Sequence, residues 1–106
     1  MVEYEVLDRE DSFAALRLKG QLLGDVPSRE LKRALERHYV DDGVREIRVD
    51  LSELSEISLE GVAILLDLWR ESQRRGKQFV IKGAEGQVRE KLEITGALRP
   101  LMRDES

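Results

Sequence analysis

Ser58 and Glu60 are the residues of this sequence best placed to do chemistry. They stand in "SELSEISLEGVAILLDLW", Ser52 to Trp69, where a polar, serine- and acid-rich turn empties into a dense apolar helix. A serine directly before such a run serves as a helix N-cap, its hydroxyl accepting from the free N–H groups of the first turn. An acid within that turn is stabilised by the positive end of the helix dipole. A helix start is also where an anion or a phosphate settles, for the same reason. Local physics accounts for both residues without a function, and it leaves the seam open as a binding or modification site.

Other chemistry is scarce. His38, the only histidine, falls on one apolar helical stripe with Leu31, Ala34, Leu35 and Tyr39, and it reads as a packed helix residue because no nucleophile is set beside it. With no cysteine there is no thiol nucleophile, no thiolate metal site and no disulfide framework. The carboxylates do not fall at EF-hand spacing, and the glycines form neither a P-loop nor a dinucleotide fingerprint. The run "RRGK", Arg74 to Lys77, reads as the solvated C-terminal end of a helix, where cations are favoured. No catalytic residue, metal or cofactor is expected.

The elements that must position the seam follow from periodicity. "EYEVLD" and "FAALRLKG", separated by "REDS", suit two antiparallel strands. Asp25 and Pro27 then signal a helix that "DDG" closes, and "REIRVDLS" is a brief strand-like run ending in Asp50. From Leu59 to Arg75 the spacing is helical until Gly76 stops it, with Val62, Leu65, Leu66 and Trp69 on the buried face and Ile64 and Leu68 widening the arc. "KQFVIKG" is a strand, "EGQVREKLEITG" a helix stopped by Gly96, and "ALRPLM" a short apolar turn. The order β-β-α-β-α-β-α-α predicts an α/β fold: a mixed sheet with antiparallel opening strands and parallel crossovers, carrying packed helices. Leu16, Leu18, Leu31, Leu35, Ile47, Val49, Leu65, Leu66, Trp69, Val80 and Leu92 are the expected core.

Composition sets the bounds. A chain of 106 residues has room for a single domain spanning 1–106. Its 18 basic and 22 acidic residues give a net charge of -4, which argues against a nucleic-acid or anionic-membrane partner. No stretch approaches the roughly 20 apolar residues needed to cross a bilayer, so no membrane insertion is expected. The charged opening "MVEYEVLDRED" lacks a signal-peptide run, and the cytoplasm is the expected location.

"VDLSEL", the helix from Leu59, the glycine-ended turn before "KQFVIKG" and above all "VREKLEITGAL" together resemble a STAS domain of the bacterial anti-sigma factor antagonist type, over nearly the whole chain. The resemblance implies a small α/β domain without catalysis of its own. Such a domain binds an anti-sigma kinase and releases it when a serine at the start of its second main helix is phosphorylated. That serine is the second of an Asp-Ser-Ser-Gly motif. Counting eight residues on from Asp50 sets Ser58 over the motif's Asp, Leu59 over its first serine, Glu60 over the acceptor and Gly61 over its glycine. A competing register sets Glu56, Ile57 and Ser58 over Asp-Ser-Ser. It needs an insertion of two residues inside the helix, which would rotate the buried face by about 200°.

In the first register Glu60 occupies the acceptor position and cannot be esterified as serine is. Its charge of about -1 partly imitates the roughly -1.5 to -2 of phosphoserine. Where antagonists commonly read Gly-Glu-Leu-Asp in the first loop, this chain reads Gly20-Gln21-Leu22-Leu23, and both acids are absent. Ser55 and Ser58 keep hydroxyls open to modification, and both also suit turn and cap roles. The resemblance implies a partner-binding surface around Ser58, Leu59, Glu60, Gly61 and Val62. The implied partner is a protein: an anti-sigma factor of the kinase-like class, the ATPase of a lipid-trafficking ABC transporter, or a STAS paralogue in a signalling scaffold. Self-association is left open.

Overall fold

A computed structural model of the protein describes residues 2–10, 12–24 and 27–101, with residues 6–10, 27 and 28 described through the backbone alone. Alternating apolar and polar residues carry the first two strands, β1 (Val2–Glu10) and β2 (Phe13–Leu22). Helical spacing takes over in α1 (Pro27–Tyr39), where Leu31, Leu35 and Tyr39 recur every fourth residue and are buried. The helix starts at the expected Pro27, while Asp25, like Met102 of the last apolar run, lies outside the described residues. β3 (Glu46–Ile57), α2 (Leu59–Arg74), β4 (Gln78–Lys82), α3 (Gly86–Ile94) and a short α4 (Leu98–Leu101) follow.

The sheet order is β1-β2-β3-β4. β1 is antiparallel to β2, whereas β3 is parallel to β2 and β4 is parallel to β3. Parallel neighbours need a crossover, and α1 and α2 supply the two required. The mixed sheet read from the sequence is therefore the fold. Ala14, Leu16 and Leu18 of β2, Ile47, Val49 and Leu51 of β3, and Phe79 and Ile81 of β4 form one core with Leu31, Leu35, Leu65, Leu68, Val88 and Leu92 of the helices. Each fully buried Leu, Ile, Val or Phe side chain among them contributes about 1.5–3 kcal/mol relative to exposure.

Three expectations are corrected, the last at Lys77 below. The polar stretch from Ser52 to Ile57 is not a turn: β3 runs on through it. Its pairing with β2 shifts register between Arg17 and Lys19 and again between Gly20 and Gln21. Each shift sets one more residue on β3 than on β2, as a β-bulge does, so the buried positions change from every second residue to Leu51, Leu54 and Ile57. A search for strict alternation ends such a strand too early. The second correction concerns α2, whose buried stripe runs through Gly61, Ile64, Leu65, Leu68 and Ser72. Leu66 and Trp69 are only partly buried, because the helix presents the Leu65–Leu68 side to the sheet and leaves Trp69 lining an open depression with Phe79 and Pro100 at the β4 edge. Val80 is buried as expected, but it alternates with Phe79 and Ile81 and so belongs to the opposite side of the sheet from the main core.

Glycines end α2 and α3 as anticipated. Gly76, at φ 72°, donates to Gln73 O at 3.0 Å while Lys77 N–H donates to Ser72 O at 2.8 Å, a Schellman arrangement that a left-handed residue makes possible. Gly96 repeats it, with Gly96 N–H on Glu93 O and Ala97 N–H on Leu92 O. Lys77 departs from the solvated end read for "RRGK". It is buried, and its ammonium donates to Asp41 O at 2.8 Å and Val44 O at 2.7 Å, fastening the loop between α1 and β3 to the end of α2.

Candidate functional site

β2 and β3 end side by side at the paired residues Leu22 and Ile57, and the next residue of β3 is Ser58. Ser58 N–H continues the ladder by donating to Leu22 O at 3.0 Å. Its hydroxyl oxygen accepts from Gly61 N–H at 3.1 Å, the N-cap bond expected from the sequence. The same oxygen accepts from Gly24 N–H, also at 3.1 Å. One side chain thus caps α2 and ties the loop after β2 to the cap.

Gly61 sits where the helix crosses the end of β2. A Cβ there would lie 2.5 Å from Leu22 O and 2.7 Å from Ile57 Cγ1, so the glycine is required by close approach and not by a left-handed backbone. Val62 is buried in the core and its N–H donates to Ser58 O at 3.0 Å. From the other side Gln87 of α3 holds Ile57. Its carbonyl oxygen accepts from Ile57 N–H at 2.9 Å and its amide nitrogen donates to Ile57 O at 3.1 Å. The side-chain amide replaces a neighbouring strand at a point beyond the end of β4, using the donor and acceptor that glutamine carries together.

On this fixed base two side chains of the five read from the sequence face solvent. Leu59 is 61% exposed and Glu60 is exposed beside it. Among the described residues Glu60 has no hydrogen-bond or ion-pair partner, which leaves its carboxylate to the helix dipole and to whatever approaches from outside. Leu23, 41% exposed, adds a second apolar side chain next to Gly24 and the Ser58 bond. Ser58 is half-buried, and Gly61 and Val62 are buried, so these three position the surface without forming it. Ser55 is committed to the bulge, donating its hydroxyl to Gly20 O at 2.9 Å. His38 is buried on α1. Gln87 was not among the residues singled out: a glutamine in the first turn of a helix gives no local sign of a distant backbone contact.

The arrangement joins an exposed acid, exposed leucines and a rigid cap. Among the described residues no group of three or more His, Asp or Glu side chains is placed to hold a metal, and no helix is long and apolar enough to cross a membrane. The family model described as "Mlab, STAS domain" matches residues 6–103. The chain belongs to the STAS domain family. Solved structures share the STAS fold at low identity. The anti-sigma factor antagonist SpoIIAA in its unphosphorylated form superposes with a TM-score of 0.73 at 18% identity, over 98% of this chain and 89% of that one. An anti-sigma factor antagonist from Mycobacterium paratuberculosis gives 0.68 at 20% identity, over 91% and 79%. The murine anion transporter Slc26a9 in its inward-facing state gives 0.71 at 16% identity, over 82% of this chain and 14% of the transporter, so there the likeness is to a small part of a much longer protein. No curated protein matches the sequence.

Proposed function

We propose that this STAS domain is a non-enzymatic interaction module of the anti-sigma factor antagonist kind that binds a protein partner through the start of α2 and carries a fixed charge in place of a serine phospho-switch. The observation that supports this reading is the division of labour at the seam. Ser58, the only hydroxyl there, has its oxygen occupied by two backbone N–H groups, while the exposed first-turn position of α2 belongs to Glu60. In this reading Leu59 and Glu60 meet the partner, and Ser58, Gly61 and Val62 keep them in place. The domain then rests permanently in a charged state resembling the released form of a phosphorylated antagonist, or it serves a partner that selects the acid. Incubation of the purified protein with an anti-sigma serine kinase and ATP, followed by mass-spectrometric mapping, should find no phosphate at the seam. Stoichiometric phosphate on Ser58 would overturn the assignment of Glu60 to the acceptor position.

A second reading makes the domain an accessory subunit of a transporter, of the lipid-trafficking ABC class, bracing its ATPase. The anion transporter among the structural relatives favours it, since the same fold works there as part of a transport protein. The protein that co-purifies from the native host separates the two: a kinase-like anti-sigma factor for the first, a transporter ATPase for the second.

A further inference from the structure

The helices cover one face of the sheet, and the other face carries a regular pattern of charge. Phe13, Ala15, Arg17 and Lys19 of β2 alternate with buried residues, as do Glu46, Arg48 and Asp50 of β3 and Lys82 of β4, and all of these are exposed or partly so. The pairing register lines up Glu5 with Arg17, Arg17 with Asp50 and Asp50 with Lys82. One row across all four strands therefore reads acid, base, acid, base. The row beside it reads Glu3, Lys19, Glu53, again alternating. Within the row Arg17 bonds Asp50 at 3.0 Å and lies 3.7 Å from both Glu5 and Glu53. Burial raises the Asp50 carboxyl, but hydrogen bonds from Ser52 and Arg17 outweigh it and hold the group below its usual range, as a charged row requires. Further along the face, Arg48 stacks 3.6 Å above the Phe13 ring beside a depression of about 290 Å³ floored by Ala15.

Two facts suggest that this face meets another layer. Strands β2, β3 and β4 are parallel, and parallel sheets are nearly always covered on both faces, whereas on the second face of these three only Val80 is buried. The four-charge row, moreover, is complementary to itself. Reversed end to end, acid-base-acid-base becomes base-acid-base-acid. A two-fold axis parallel to the strands, between β2 and β3, performs that reversal.

We propose that the uncovered sheet face takes a second copy of this chain, the two sheets packing face to face about that axis. Glu5 then faces Lys82 of the second copy and Arg17 faces its Asp50, each twice. Arg48 of each copy lies over Ala15 of the other and fills the depression. Face-to-face sheets pack about 10 Å apart with strands roughly 30° from aligned, a spacing that lets long charged side chains of both faces meet. Because Glu5, Arg17 and Asp50 already have partners within their own sheet, the added attraction is modest and the dimer forms and dissociates with concentration and salt. The start of α2 lies outside this face, so a dimer leaves it accessible.

Sedimentation velocity on the full chain tests the proposal. The wild type should pass from monomer to dimer between micromolar and millimolar concentration, less so at high salt. Arg17→Glu and Asp50→Arg should each weaken self-association about tenfold or more, since each sets like charges opposite one another at two points. An equimolar mixture of the two variants should dimerise again, because the rows acid-acid-acid-base and acid-base-base-base are complementary when opposed. A bond made only within one chain cannot be restored by mixing. Thermal melts establish that each variant is folded, and Glu5→Lys with Lys82→Glu repeats the test at the outer strands without touching the Arg17–Asp50 bond. A wild type that stays monomeric at millimolar concentration, a dimer indifferent to the single substitutions, or folded variants that stay monomeric when mixed would each overturn the proposal.

Discussion

At the scale of single residues, the site rests on one oxygen and one missing methyl group. Ser58 Oγ accepts from both Gly61 and Gly24, so Ser58→Ala removes an N-cap and a loop tie together. It should lower stability by about 0.5–2 kcal/mol in a denaturant titration. The second effect is local: hydrogen exchange at the Gly24 amide should quicken by more than global stability accounts for. Gly61→Ala should cost about 1–3 kcal/mol, since the new Cβ meets the backbone oxygen of Leu22, which cannot rotate away. An unchanged melting temperature in Gly61→Ala would show that α2 does not approach β2 as closely as described. The cap was legible in the sequence because it is a contact three residues long. The Gly24 and Gln87 contacts were not, because they join positions 34 and 30 residues apart and no local pattern marks them.

At the scale of elements, most of the fold was legible and the misreadings have a common cause. Periodicity identifies an element only while the element is regular. β2 alternates, α1 repeats every three or four residues, and Gly76 and Gly96 stop helices as C-terminal glycines do, so these were readable. β3 changes period at its bulges, and the apolar arc of α2 is wide enough that the sequence does not say which edge faces the sheet. The difference is measurable. Leu65→Ala should cost about 2–5 kcal/mol, and Leu66→Ala clearly less, because Leu65 is fully buried and Leu66 only partly. Between α1 and α2, Tyr39 donates its hydroxyl to Leu68 O at 3.1 Å, and burial pushes its pKa from 10.0 up to about 12. The folded state thus holds the phenolic proton more tightly than the unfolded chain. The resulting stability is full below pH 10 and is lost as pH rises from there toward 12, by roughly 2–3 kcal/mol in total. Tyr39→Phe should flatten that alkaline loss in a pH series of denaturant titrations.

At the scale of the whole molecule, the charge on the open sheet face largely balances across the strands, whereas Glu60 at the start of α2 has no balancing cation among the described residues. Neither property is visible in the composition, which records only a net charge of -4. It takes the register of four strands to place Glu5, Arg17, Asp50 and Lys82 in one row, and the seating of α2 on β2 to leave Leu59 and Glu60 facing outward. The central claim is that Glu60 is a fixed recognition charge and not merely a residue of a helix start. The measurement that tests it most directly is a binding titration of wild type, Glu60→Gln and Glu60→Ser against the protein that co-purifies from the native host, with thermal unfolding in parallel. Both substitutions should shift affinity in the same direction, since both remove the charge and only one restores a hydroxyl. The shift should exceed the stability change of about 0.3–1 kcal/mol expected from the lost helix-dipole interaction. Affinity unchanged in both variants would contradict the account.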